Sequence, residues 1–407
     1  MQKQFIIIMF LITLITAALY SQDIITSIEV TGLKRTQPHI VMYQLERFKG
    51  KDAAAFDQNE VIAVIKTLGV LEPVSVELEV SDNEIVLCVT VEEKWSLFPF
   101  PFFYAGSGET NYGLFLLDAN AFGLLDNAII GGAYSSNGWS AMAMYNHTPD
   151  RNGALGFTAV FLYMHQKKED VDRTEKIIRA YSGSRLFASL GINYDFTDFF
   201  ACSASLYYSD FSLNKNDLMI NPPESGARFI GFTPRFSFND SSWDGYFLSV
   251  RNISLEYSYN FALLGLSYHQ IGYRGNYEKA LIPGFRLNIK SAGVLWKSSS
   301  DPLLEEGPVK AQVNILPKNY SALYYFGFYA GLEKYIVKFN WGTLSVQGSW
   351  QCVFSGNKIN CLYFDHGPSG GMVFYLSRLA LPAIGANIAY NMVSELFQFS
   401  FSIGMSL

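Results

Sequence analysis

The last eleven residues read FQFSFSIGMSL. Phe397, Phe399, Phe401, Ile403, Met405 and Leu407 alternate with Gln398, Ser400, Ser402, Gly404 and Ser406. A period of two marks a β-strand whose faces meet opposite environments. A soluble sandwich can make such a strand, but a long apolar terminal edge invites aggregation. A closed barrel in a membrane has no free edge and needs an apolar outer face.

The alternation recurs upstream. About sixteen segments carry it: roughly 95–105, 112–121, 126–136, 139–148, 153–165, 182–196, 199–210, 226–238, 249–260, 264–279, 283–296, 322–337, 339–354, 365–377, 380–391 and 396–407. Connectors after the fifth, seventh, eleventh and thirteenth segments are long; those after the sixth, tenth, twelfth and fourteenth are short. Long loops on one rim and short turns on the other are the outer-membrane asymmetry. The pattern predicts a transmembrane β-barrel of about sixteen antiparallel strands over 95–407. Its last strand shows Phe to lipid and Ser and Gly to the lumen.

Residues 22–94 follow a different grammar. Ile24–Val30 alternates as a strand. Thr36 before Gln37-Pro38 reads as a helix N-cap, and that helix stops at Gly50. Asp57 and Glu60 have capping-box spacing, and Val61, Val64, Ile65 and Leu68 recur at helical period before Gly69. Strands at Val74–Val80 and Ile85–Val91 flank Ser81-Asp82-Asn83. The order β-α-α-β-β predicts a small α+β domain, one sheet covered by two helices.

The first residues, MQKQFIIIMFLITLITAALYSQD, place Lys3 before a short apolar core. Residues 1–21 read as a secretory signal peptide, with cleavage after Ser21 or Ala18. The alternative is a membrane anchor, for which the run is short. Of the 407 residues, 16% are aromatic and 16% charged, against roughly 25% charged in soluble domains. That composition suits a barrel with aromatic girdles. The net charge of −6 excludes nucleic acid as a partner. Twelve acidic and seven basic residues in 24–94 account for most of it.

Little in the chain points to catalysis. GPSGG at 367–371 matches the G-x-S-x-G pattern, but that motif needs a strand-to-helix elbow, and here it opens a barrel strand. The five histidines and four cysteines have no metal spacing. GSGETNYG at 106–113 lacks the Lys of a phosphate loop. Cys352 and Cys361 flank a loop and are a candidate disulfide in an oxidising compartment. Arg235, Glu256, Arg274, Arg286 and Glu333 lie among alternating apolar residues, which directs them to the lumen.

The domain order resembles the outer-membrane protein assembly and translocation factors, in which POTRA (polypeptide-transport-associated) domains precede a sixteen-stranded barrel. ITSIEVTGLKRT (25–36), TLGVLEPVSVELE (67–79) and IVLCVTVEEKW (85–95) look like the start, middle and end of one POTRA domain. DANAFGLLDN (118–127) and the stretch from GPSGGMVFYLSRLALPAIG (367–385) to the last strand are similar to the family's barrel ends. The family usually carries an Arg-Gly-aromatic signature on the long loop after the eleventh strand, folded into the lumen. Here that loop, 297–321, has no Arg, and Val309-Lys310-Ala311-Gln312 is the nearest analogue. The loop is expected to fold into the lumen, with Lys310 near Glu333 or Asp365.

The resemblance implies a bacterial outer-membrane insertase or translocase without enzymatic activity or cofactor, its N-terminal domain in the periplasm. Partners would be unfolded outer-membrane or secreted polypeptides, the lipid bilayer and periplasmic accessory proteins. A passive pore or structural surface barrel is the competing reading; a lipid hydrolase at Ser369 is a third. Pro99 and Pro101 in the first strand remove backbone donors on one side only. If that side faces Phe399, Phe401 and Leu407 of the last strand, the junction is a weak lateral seam.

Overall fold

The computed structural model describes residues 24–404, apart from 82–83, 107–108, 136, 149–154, 198, 215–218, 245–246, 300–304, 306, 341 and 377–382. The proposed signal peptide and Leu407 lie outside the described residues. The chain divides into two compact units, up to Glu93 and from Lys94 onward.

In the first unit, β1 (Ile25–Thr31) is followed by α1 (Pro38–Leu45), α2 (Gln58–Thr67), β2 (Leu71–Ser81) and β3 (Glu84–Glu93). The sheet order is β1-β3-β2; β3 runs parallel to β1 and antiparallel to β2. Ile25 and Ile28 of β1, Ile40, Val41 and Leu45 of α1, Val61 and Ile65 of α2, and Leu87 and Val89 of β3 are buried together as the core. Each such side chain stabilises the unit by about 1.5–3 kcal/mol. α2 starts as expected: Asp57 accepts from the Asn59 N–H at 2.9 Å. Glu60 does not close a capping box, because its carboxylate takes Lys51 at 3.2 Å. α1 departs from expectation. Gln37 is its N-cap and makes no side-chain cap. Thr36 is held elsewhere: the N–H groups of Arg35 and Thr36 donate to Glu93 at 2.8 and 2.7 Å.

The second unit is one antiparallel sheet of sixteen strands, each bonded to its neighbours in sequence. The first strands are β4 (Leu97–Gly106), β5 (Glu109–Ala121), β6 (Asp126–Ser135), β7 (Gly138–His147), β8 (Leu155–Val171) and β9 (Ile177–Asp195). β10 (Phe200–Asn214), β11 (Ala227–Asp244), β12 (Phe247–Leu264), β13 (Tyr268–Ile282) and β14 (Phe285–Lys297) follow. β15 (Tyr324–Phe339), β16 (Gly342–Gly356), β17 (Tyr363–Leu376), β18 (Ala383–Asn391) and β19 (Leu396–Gly404) complete it. All sixteen predicted segments are present. The connector after the fifth is shorter than its sequence implies: β8 and β9 run on through the charged stretch 166–171 and leave only a turn at 172–176. Charge hides the strand period there, since above an apolar band both faces of a hairpin tolerate Lys and Glu.

One face of the sheet is apolar and exposed. Leu114, Leu116, Ile130, Leu190, Ile192, Leu206, Phe236, Ile253 and Phe399 all point outward. Water does not tolerate an apolar surface of this extent, whereas a lipid solvent requires it. Aromatic pairs gather toward both rims: Tyr112–Tyr134 and Trp139–Tyr163 at one, Phe196–Phe200 and Phe199–Phe238 at the other.

Candidate functional site: inner segment, hairpin turn and seam

Residues 307–323, between β14 and β15, stay inside the sheet. Ala311, Val313, Ile315, Leu316, Tyr320 and Ala322 form a buried cluster with Val171 of β8, Tyr325 of β15, Val353 of β16 and Ala389 of β18. Polar bonds fix the same placement. The Asn319 carbonyl accepts from Val171 N–H at 3.0 Å, and Asn314 Nδ2 donates to Asn387 of β18 at 3.1 Å. β8 and β18 are far apart in the strand order, so one short segment reaches both only if the sheet curls round it. Gln351 of β16 accepts from the Asn314 N–H at 2.8 Å and donates back to its side chain at 2.5 Å. At Gly327 of β15 a Cβ would stand 2.0 Å from the Ala311 carbonyl oxygen. Only glycine lets the segment lie this close.

The long loop therefore folds inward, but Lys310 is not the cation that holds Glu333 or Asp365. Lys310 is exposed. Glu333 is buried against Arg286 of β14 at 2.5 Å and accepts from Tyr375 OH at 2.6 Å and from Ser345. Arg286 also pairs with Glu278 at 2.7 Å. Asp365 is fully buried and meets Arg173, whose Nε and Nη2 donate at 2.9 and 2.8 Å. Asn391 donates to the same carboxylate at 3.1 Å. The physical reason is geometric: a planar guanidinium matches a buried carboxylate with two bonds, and an ammonium does not. Of the other expected lumen charges, Arg235 and Glu256 pair in register at 2.6 Å.

Arg173 sits in the turn between β8 and β9, which sequence reasoning passed over. Asp172 shapes that turn by accepting from Thr174 N–H, Thr174 Oγ1 and Lys176 N–H at 2.7–3.0 Å. Burial opposes its charge, but those donors outweigh burial and hold the carboxyl below its ordinary range. The Asp-x-Thr spacing was the available signal. Glu175, at φ 65, accepts from Gln398 Nε2 of β19 at 2.9 Å.

At the sheet's ends, Cα atoms of β4 and β19 approach within 8 Å. Among the described residues, no register pairs one strand with the other. Phe397, Phe399 and Phe401 face outward and Gln398 inward. The Ala119 N–H donates to Ser96 O at 2.9 Å. In an antiparallel pair a residue's N–H and C=O face the same neighbour, and the side alternates along the strand. The β4–β5 register runs from Leu97↔Asp118 to Gly106↔Glu109 without a shift. Residues 98 and 100 thus share the β5 side with Ser96. Pro99 and Pro101, which lack an N–H, turn toward β19.

No protein-family model and no curated protein sequence matches the chain. Solved structures do. BamA from Haemophilus ducreyi lacking POTRA domains 1–3 is similar at TM-score 0.52 and 11% identity, over 94% of this chain and 84% of that one. CdiB from Escherichia coli is similar at TM-score 0.63 and 12% identity, over 94% and 77%. CdiB from Acinetobacter baumannii gives 0.60 and 12%, over 94% and 74%. The fold is that of BamA and CdiB. At such identity the likeness is one of fold, and it matches the resemblance read from the sequence.

Within this BamA-like and CdiB-like sheet, the space beside the inner segment is a cavity of about 1050 Å³. Its wall is rich in amides, including Asn239, Asn252, Asn276, Asn288 and Gln347, with Arg274 among them. One expectation fails here. Cys352 and Cys361 are free thiols. β16 continues four residues past Cys352 to Gly356, level with Cys361. That rise is about 13 Å, whereas a disulfide needs Cα atoms within about 7 Å. Ser369 lies within β17 and takes a hydrogen bond from Gln351 at 2.8 Å. His366 faces the other way, stacked on Trp350 and Phe364. The constellation of a hydrolase does not form.

Proposed function

We propose that the chain is a bacterial outer-membrane insertase or translocase of the POTRA–barrel type. The curled sheet acts as a barrel in the outer membrane, and the first unit is its POTRA domain in the periplasm. That domain receives extended client segments on the free edge of β2, where Val74 and Val80 are exposed, by adding a strand to the sheet. Client polypeptides then enter the bilayer through the junction of β4 and β19.

The observation that carries the reading is the unregistered junction between β4 and β19, with Pro99 and Pro101 turned into it. A ladder costs energy to break, and each missing bond removes about 0.5–1.5 kcal/mol of that cost. The inner segment argues against a simple pore, because it packs the interior.

A passive pore remains the second reading, favoured by the polar cavity. Depletion followed by outer-membrane proteomics tests both. Loss of many barrel proteins from the membrane, with unfolded forms accumulating, is the expected result. Altered solute permeability with an unchanged outer-membrane proteome supports the pore instead.

A further inference from the structure

We propose that the β8–β9 turn is a strap across the seam, with Arg173 and Glu175 as the residues that position the terminal strands; the proposal builds on the β4–β19 seam of the function above. β7 pairs with β8 only as far as Gly138↔Gln166. Beyond it, Lys167–Val171 pairs with residues 177–182 of β9, so the hairpin overhangs β7 by five residues, about 16 Å. β4 to β7 separate β8 from the seam on that side. The turn nevertheless bonds to strands on the other side: Arg173 to Asp365 of β17, and Glu175 to Gln398 of β19. It thereby links strands that lie on the two sides of the unregistered β4–β19 junction.

The strap is built to bear a load. Its root is braced against the inner segment, where Asp170 accepts from Ser321 Oγ at 2.8 Å and pairs with Arg179 at 2.9 Å. Arg179 in turn pairs with Glu305 at 3.1 Å. Its tip is stiffened by the Asp172 side chain. The Arg173 guanidinium also lies 4.7 Å from the centre of the Tyr363 ring, which limits its swing. Glu175 holds a left-handed backbone that an L residue adopts at a cost, as expected where surroundings over-determine a side chain's position. The Arg that the family's pattern places on the long loop is thus supplied, to the buried Asp365, by a different loop. The consequence is specific: one element ties β17 and β19 to the β8 side, so releasing it frees the last strand.

The test uses the full chain in phospholipid vesicles with its four cysteines replaced by serine. Spin labels go on Leu97→Cys and Phe401→Cys, both on the outer face and away from the strap, and pulsed dipolar spectroscopy reads their separation. The parent gives one narrow distance distribution. Arg173→Ala with Glu175→Ala raises the long-distance population about tenfold, and Arg173→Lys with Glu175→Gln raises it less. An unchanged distribution in the alanine pair overturns the strap. Should that pair fail to fold, Gln398→Ala removes the β19 end alone and must itself broaden the distribution; no broadening overturns the strap equally. The readout is a distance in purified protein, independent of clients. A separated seam together with an unaltered proteome on depletion upholds the strap and rejects the insertase reading.

Discussion

At the scale of single residues, two positions concentrate the argument. Gly327 lets the inner segment lie against β15, and a methyl there meets the Ala311 carbonyl at 2.0 Å. Gly327→Ala is expected to cost about 1–3 kcal/mol and to push the segment off its seat. Faster proteolytic cleavage within 307–323, with the remaining strands protected, checks this. Glu93 joins the end of β3 to the residues before α1. Burial opposes its charge, but the Thr36 hydroxyl and the N–H groups of Arg35, Thr36 and Lys34 outweigh burial and lower its pKa. A carboxyl whose folded pKa is depressed stabilises the fold above its unfolded pKa, and the benefit is lost as pH falls through the folded value. Glu93→Gln is therefore expected to weaken the first unit by about 1 kcal/mol at neutral pH, with the difference closing below the ordinary carboxylate range. Amide exchange at Arg35 and Thr36, measured in the full chain across that range, reads it out.

At the scale of elements, buried polar anchors tie neighbouring and distant strands to one another. Arg286 of β14 bonds Glu278, Glu333 and Tyr375, which links β13, β14, β15 and β17. Removing one partner from a buried ion pair typically costs about 3–5 kcal/mol, because the remaining charge is left uncompensated. Glu333→Ala should thus lower the denaturant midpoint of the second unit far more than Glu256→Ala, whose partner Arg235 is half exposed. Equal losses in urea titrations would contradict this. β16 makes a separate prediction. Its straight run past Cys352 keeps the two thiols on different levels, so unreduced protein should alkylate at both. Exposed Cys361 should react faster than half-buried Cys352.

At the scale of the whole molecule, the sheet's two ends decide what it can do. Among the described residues, hydrogen bonds join fifteen successive strand pairs, while β4 and β19 meet without a register. On the insertase reading proposed above, a disulfide engineered across this junction in a cysteine-free background should leave folding intact and block client insertion. Normal assembly of outer-membrane proteins with the bridge formed would remove the seam from the mechanism.

The sequence by itself determined the sixteen strands, their inner and outer faces and the α-β layout of the first unit. Those follow from period-two and helical patterning, which is a local property that burial against lipid or core enforces on every turn of chain. The terminal strand shows it plainly, with Phe399 and Phe401 outside and Gln398 inside. Pro99 and Pro101 were legible too, because a missing N–H is written in the residue itself. Which cation meets Asp365 was not. Lys310 and Arg173 are both basic residues on loops, and no pattern along the chain ranks them. The choice rests on how far the β8–β9 hairpin overhangs β7 and on the fit of a guanidinium to a buried carboxylate. Nor could spacing reveal that Cys352 stands about four residues below Cys361 or that Glu175 reaches Gln398, 223 positions away. Partners so distant in sequence are brought together by the curl of the sheet, and only the tertiary structure holds that curvature.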